Sequence, residues 1–202
     1  SGPPAERLNS SALALASAPV LLAFVTTHLA AHSLLNVSQA LADPALVWLM
    51  RPWRSLPGTV LLAAAFLAHY GNALWSIYLR RTLRLKRWEW AQLGLGLCIP
   101  PLVALHVAST RLAEASMGID LNYTYVLVEQ WIVMPHQAVI QVAMLVTLWI
   151  HACIGLHFWL RTKRWYAAWR PWLAAAALAF PLVALTGYIS AGNQVLREAE
   201  KD

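Results

Sequence analysis

Five apolar runs dominate the sequence, and each is long enough to cross the roughly 30 Å hydrocarbon core of a bilayer as a helix. They cover residues 11–36, 57–80, 90–111, 135–160 and 171–192. Only 12% of the residues are charged, whereas soluble domains carry about 25%. The sequence therefore predicts an all-α membrane protein with five transmembrane helices, between a polar tail at 1–9 and a polar segment at 193–202.

The basic residues lie in two connections that fall on the same side of a five-span protein. They are Arg80, Arg81, Arg84, Lys86 and Arg87 in the first connection, and Arg161, Lys163, Arg164 and Arg170 in the second. The positive-inside rule makes this side cytoplasmic, which also makes the N-terminus cytoplasmic. The net charge of +6 is explained by these loops, so it does not call for a nucleic-acid partner.

Four spans each carry one deep histidine, and the four fall at two depths. At about 1.5 Å per residue along a helix, His28 and His106 lie in the outer half of the membrane. His69 and His151 lie at mid-depth or slightly towards the cytoplasm. An imidazole in hydrocarbon is costly without a partner, so an intramembrane histidine is a functional-site hypothesis.

Histidines at matched depths on different helices are typical of bis-histidine haem ligation. The spacing predicts that His28 pairs with His106 and His69 with His151, giving two b-type haems in a four-helix di-haem bundle. Gly155, one turn after His151, would leave room for a flat ligand against the helix. The alternative is four core histidines that are each hydrogen-bonded to a neighbour.

Several other residues are candidates for cofactor binding. His32 is an alternative outer ligand, a haem-propionate partner or a helix–helix hydrogen-bonding group, and His157 is a candidate for an inner propionate or a quinone site. Propionates favour cationic partners. The cationic candidates are Arg51 and Arg54 outside, and Arg80 and Arg81 inside; setting the topology is their alternative role.

The placement of these histidines on spans one to four is similar to that in a known class of proteins, the di-haem cytochrome b subunits of succinate dehydrogenase and fumarate reductase. A closer resemblance is to the membrane anchor of bacterial class III adenylate cyclases that share this architecture. The stretches that carry it are Phe24–His32, Trp53–Thr59, Leu105–Arg111, Asn122–Leu127 and Trp149–Arg161.

The resemblance implies a location in the bacterial inner membrane, a homodimer, and a longer chain. In that family the anchor continues after its fifth span into a sixth helix, a cytoplasmic ferredoxin-like domain and a cyclase domain. It implies that this chain senses or transfers redox state, with the quinone pool as the candidate source. We expect no catalytic site within these 202 residues, because they contain no cysteine cluster and no cyclase aspartates.

Three other functions would make different demands on the residues. A cytochrome b subunit of a quinone oxidoreductase would dock flavoprotein and iron–sulfur subunits on its inner face. A non-haem di-iron enzyme would need a dense histidine box with carboxylates, and no spaced carboxylates accompany His28 and His32. A proton channel would need acidic partners within the spans.

Overall fold

The computed structural model describes residues 4–80, 82 and 84–201, with side chains from residue 16 onward. The predicted candidate Arg81 lies outside the described residues. Within that range the protein is all-helical, at 88% helix, and the described residues contain no β-strand. The all-α fold class predicted from the sequence is confirmed.

Eight α-helices follow one another along the described chain. They are α1 (Pro4–Ser33), α2 (Gln39–Arg54), α3 (Leu56–Tyr78), α4 (Arg87–Val107), α5 (Ala113–Met117), α6 (Tyr123–Val128), α7 (Pro135–Leu160) and α8 (Tyr166–Ala199). A 3-10 turn at Leu34–Asn36 extends α1. Wide π-helical turns at Ala108–Leu112 and Glu129–Val133 follow α4 and α6.

Five helical segments of the described chain are long and apolar enough to cross a membrane. They are Ala16–Asn36, Leu56–Tyr78, Arg87–Met117, Pro135–Leu160 and Tyr166–Ala199. Large apolar side chains on these segments are more than half exposed, for example Leu67 on α3 and Leu178 on α8. Contact with lipid accounts for this exposure, since an apolar side chain loses nothing by facing hydrocarbon. The chain is therefore a multi-pass helical membrane protein.

Two compact units make up the chain. The first comprises the residues up to His28 together with Val47–Lys86, and the second comprises Leu29–Leu46 and the chain from Arg87 onward. In the first unit, α3 begins where the Ser55 side chain accepts a hydrogen bond from the Gly58 N–H, with Pro57 in the first turn. This is the usual helix start, because proline has no N–H to leave unpaired.

The core of the second unit gathers the 3-10 turn, the first half of α2, α6 and the C-terminal half of α8. Its buried side chains are Leu35, Ala42, Tyr123, Leu127, Tyr188 and Ala191. Gly187 lets α8 approach very closely: a Cβ there would lie 2.6 Å from the carbonyl oxygen of His32. Beside it, the Asn36 amide donates to the Val183 carbonyl at 2.7 Å.

The helices differ in extent from the predicted spans at several places. α1 begins at Pro4, inside the predicted tail at 1–9. α2 and α6 occupy segments that the sequence presents as connections, because neither contains an apolar run of spanning length. α4 is followed by a π-helical turn and α5, so this rod extends to Met117. α8 runs from Tyr166 to Ala199, with Pro171 inside it. The helix therefore extends beyond both ends of the predicted span at 171–192.

Candidate metal-binding histidines

The predicted haem ligands divide between the two units. His28 and His69 belong to the first unit, and His106 and His151 to the second. Each predicted pair therefore takes one residue from each unit, and the two pairings stay predictions. Within its own unit, each histidine has a distinct set of neighbours.

His106 on α4 is held by a side chain of α7. Its Nδ1 lies 3.1 Å from Oε1 of Gln141. An amide oxygen only accepts, so Nδ1 carries the proton and donates. This tautomer places the lone pair on Nε2, the ring nitrogen through which the imidazole would ligate a metal ion.

His151 on α7 is held by the backbone of α4. Its Nδ1 lies 3.1 Å from the carbonyl oxygen of Gln92, which again places the proton on Nδ1. The side-chain amide of Gln92 donates to Nε2 of the same ring at 3.4 Å. The imidazole lies against Gly96, where a Cβ would be only 2.9 Å from Cε1 of His151. Glycine at this position is what allows the ring to lie flush with α4.

These two contacts are reciprocal and lie at different heights. α4 supplies the histidine and α7 the glutamine in one contact, and the roles are exchanged in the other. Because Gln92 contacts His151 and Gln141 contacts His106, the two helices run antiparallel. His106 stands ten residues beyond Gly96 on α4, which is about 15 Å along the axis.

Gly155 also faces α4, and its predicted role in leaving room for a flat ligand stays a prediction. A Cβ at this position would lie 3.2 Å from Nε2 of Gln92. The glycine therefore makes room for the Gln92 side chain, and that side chain carries a buried Oε1 without a hydrogen-bond partner in the described chain. Such an orphaned acceptor next to a histidine marks a polar site in an apolar span.

His32 forms a second polar cluster in the same unit. Its Nδ1 lies 3.1 Å from the hydroxyl of Tyr123, and the two rings meet edge to face at 5.5 Å. The Tyr123 N–H donates to Oδ1 of Asp43 at 2.7 Å. Burial, and secondly the Asp43 carboxylate, raise the pKa of the Tyr123 phenol.

A small cavity adjoins this cluster and is lined by His32, Gln141 and Tyr188, among others. The Tyr188 hydroxyl donates to Oε1 of Gln130 at 2.6 Å. The cavity thus lies between the His32 cluster and the glutamine that holds His106.

The two histidines of the first unit have different surroundings. His28 stacks on Phe24 with ring centroids 5.7 Å apart, and Phe24 meets Trp53 edge to face at 5.6 Å. His69 contacts the Ser17 hydroxyl through Nδ1 at 3.3 Å. A hydroxyl both donates and accepts, so this contact is compatible with either tautomer of His69.

The remaining candidates lie nearer the surface. His157 is exposed, and its Nδ1 is 2.7 Å from the Tyr166 hydroxyl. Arg51 and Arg80 are exposed, while Arg54 is half-buried. No described geometry assigns these residues to a cofactor, and their predicted roles stay predictions.

The partners of the histidines were not predicted from the sequence. Gln92 and Gln141 are uncharged polar residues inside apolar runs, and that pattern was the available signal, since a polar side chain in a membrane span needs a partner. Tyr123 and Asp43 gave no such signal because they lie outside the runs. Comparison with protein-family models, curated proteins and solved structures finds no match for this chain. Fold and site together define a multi-pass helical membrane protein with partnered histidines inside its spans.

Proposed function

We propose that this chain is a b-type di-haem membrane domain that transmits redox state, from the quinone pool, to an attached cytoplasmic adenylate cyclase. The observation that carries the proposal is the pair of Nδ1–carbonyl hydrogen bonds at His106 and His151. Metal-ligating histidines almost always donate their second ring N–H to a carbonyl or carboxylate, which fixes the tautomer and orients the ring. The Nδ1 bonds of both rings are of this kind, and they support two metal centres. At His151 the Gln92 amide, which lies 3.4 Å from Nε2, would have to move aside for iron to bind there.

The residues fit haem iron better than a hard cation. Neutral imidazole is a ligand of iron, copper and zinc, whereas magnesium and calcium take oxygen ligands. The glycine at position 96 cradles the His151 ring in a place that a Cβ would fill. A bound haem would supply one-electron chemistry at its iron. The chain supplies the imidazoles, their fixed orientation and a low-dielectric surrounding that sets the potential.

The haem content of the purified protein tests this proposal directly. We expect about two haem b per chain with the low-spin spectrum of bis-histidine ligation. His106→Ala and His151→Ala should each lose one haem and retain the other. His136→Ala is the matched control, because His136 is exposed at the start of α7 and is not among the candidate residues. Colourless wild-type protein would refute the proposal.

The pairing is tested by combining substitutions across the two units. If His28 and His106 share a haem, then His28→Ala should lose the haem that His106→Ala loses, and the double variant should lose no more. The same holds for His69 and His151. Loss of different haems by two supposed partners would show that the pairing is wrong.

The signalling part is tested on the full-length gene product. Cyclase activity should differ between oxidised and chemically reduced haems, and the His106→Ala variant should reduce that difference. Copurification with flavoprotein and iron–sulfur subunits would instead indicate an oxidoreductase subunit.

A further inference from the structure

Gln141 is a side chain whose oxygen fixes the tautomer of a candidate ligand from across a helix–helix contact. It reaches from α7 to Nδ1 of His106 on α4 at 3.1 Å. The corresponding acceptor for His151 is a backbone carbonyl, that of Gln92. The acceptor for the His106 ring is therefore a side chain that can be substituted, whereas the acceptor for the His151 ring belongs to the main chain.

We propose that Gln141 is the positioning residue that sets the reduction potential of the iron centre ligated by His106. This inference rests on the proposed function and adds to it the residue that tunes one centre separately from the other. Gln141 itself touches neither the metal nor a substrate; it acts through the imidazole.

The physical argument follows the proton on Nδ1. When the Gln141 oxygen accepts this N–H, electron density in the imidazole rises and Nε2 becomes a stronger donor. A stronger donor stabilises the oxidised iron more than the reduced iron, and so lowers the potential. The bond to Gln141 also restrains the orientation of the ring. In the π-helical turn that follows α4, the Thr110 hydroxyl donates to the His106 carbonyl at 2.6 Å.

The surroundings of this hydrogen bond reduce the competition from water. His106 and Gln141 are both partly buried, and Gln141 lines the small cavity beside His32 and Tyr188. Hydrogen bonds are electrostatically stronger in such a low-dielectric place than in water. A change of acceptor at position 141 should therefore change the reduction potential of the iron.

Two substitutions of similar size test the proposal with opposite expected signs. Gln141→Met removes the acceptor and keeps an unbranched side chain, so the potential of the His106 centre should rise. Gln141→Glu provides a stronger acceptor, so the same potential should fall. In both variants the potential of the His151 centre should stay at its wild-type value. Potentiometric titration followed by haem absorbance gives both potentials, and the His106→Ala variant identifies which is which.

A second measurement reports the hydrogen bond itself. Reduced low-spin haem is diamagnetic, so NMR of protein with 15N-labelled histidine can observe the Nδ1–H proton of His106. Its signal should move upfield in Gln141→Met, because the hydrogen bond is lost, and downfield in Gln141→Glu. Gln137→Met, one turn earlier on α7, is the matched control and should change neither signal nor potential.

The two proposals fail in different ways. Wild-type protein without haem would refute the proposed function. Two bound haems whose potentials are unchanged in both Gln141 variants, or shifted in the same direction by both, would refute the role of Gln141 and leave the proposed function standing.

Discussion

The imidazole of His151 lies directly on Gly96, so close that a Cβ there would be 2.9 Å from Cε1 and 3.3 Å from Nδ1 of the ring. This contact joins α7 to α4 at the point where the Gln92 carbonyl receives the Nδ1 proton. Because Gly96 has no Cβ, the His151 ring can occupy this position against α4.

Gly96→Ala should displace the His151 ring and lengthen its bond to the Gln92 carbonyl. We expect a loss of about 1–3 kcal/mol in unfolding free energy from overpacking, and loss of the haem that His151→Ala loses. Gly94→Ala is the control, because a Cβ at Gly94 meets nothing within 4 Å. It should stabilise α4 by about 0.5–1 kcal/mol. Thermal unfolding in detergent and haem content measure the two effects; equal behaviour of the two variants would contradict the contact.

Gly187→Ala should separate α8 from the 3-10 turn. The added Cβ would lie 2.6 Å from the carbonyl oxygen of His32 and 2.9 Å from Nδ2 of Asn36. A backbone oxygen cannot rotate away, so we expect destabilisation by about 1–3 kcal/mol or more. Gly71→Ala, where a Cβ meets nothing within 4 Å, should be neutral or mildly stabilising. A wild-type melting temperature for Gly187→Ala would contradict the close approach.

Thr27→Val tests the packing of the first unit. The Trp53 indole N–H donates to the Thr27 hydroxyl at 3.0 Å, and the valine would leave that donor without its acceptor. The expected cost is about 1–3 kcal/mol of unfolding free energy. The Thr186 hydroxyl bonds within its own helix, to the Val183 carbonyl, so Thr186→Val is a matched control with little expected effect. Trp53 fluorescence offers an independent readout, provided a background variant removes enough of the other tryptophans.

Tyr123→Phe should alter the alkaline limb of the stability profile. Burial, and then the Asp43 carboxylate, raise the pKa of this phenol in the folded protein. Its ionisation therefore opposes folding, and its contribution to stability is fully present below the unfolded pKa of about 10 and is lost as pH rises above it. The variant should lose about 0.5–1.5 kcal/mol at neutral pH with the His32 hydrogen bond. Above pH 10 its stability should fall less steeply than that of the wild type, as urea or thermal unfolding across pH 7–11 would measure. Parallel curves would contradict the assignment.

The long apolar runs were predictable because hydrocarbon thickness leaves a helix of about 20 apolar residues as the simplest solution. The ends were less predictable, as Tyr166 shows: the helix begins five residues before Pro171, since nothing in the polar region forces it to stop. α2 and α6 were not predicted because their stability comes from tertiary contacts, such as the hydrogen bond from the Tyr123 N–H to the Asp43 carboxylate. Short helices of this kind contain no apolar stretch that is long enough to cross a membrane.

The histidines were identifiable from their depth, but their partners were not. Depth follows from counting residues along a helix, whereas a partner such as Gln141 depends on the rotation of α7 against α4, which no single-sequence pattern fixes. The depths of His106 and His151 in a membrane stay predictions. Their pairing with His28 and His69 stays a prediction.

The length of α8 has a mechanical consequence. Its 34 residues make a rod of about 51 Å, well over the thickness of the hydrocarbon. Trp149 of α7 donates to the Ala177 carbonyl near its middle, and Gly187 fits against the His32 carbonyl further along. These two contacts, at Ala177 and Gly187, hold the helix in its central part. A 5° tilt of the whole helix about its midpoint would displace each end by about 2 Å.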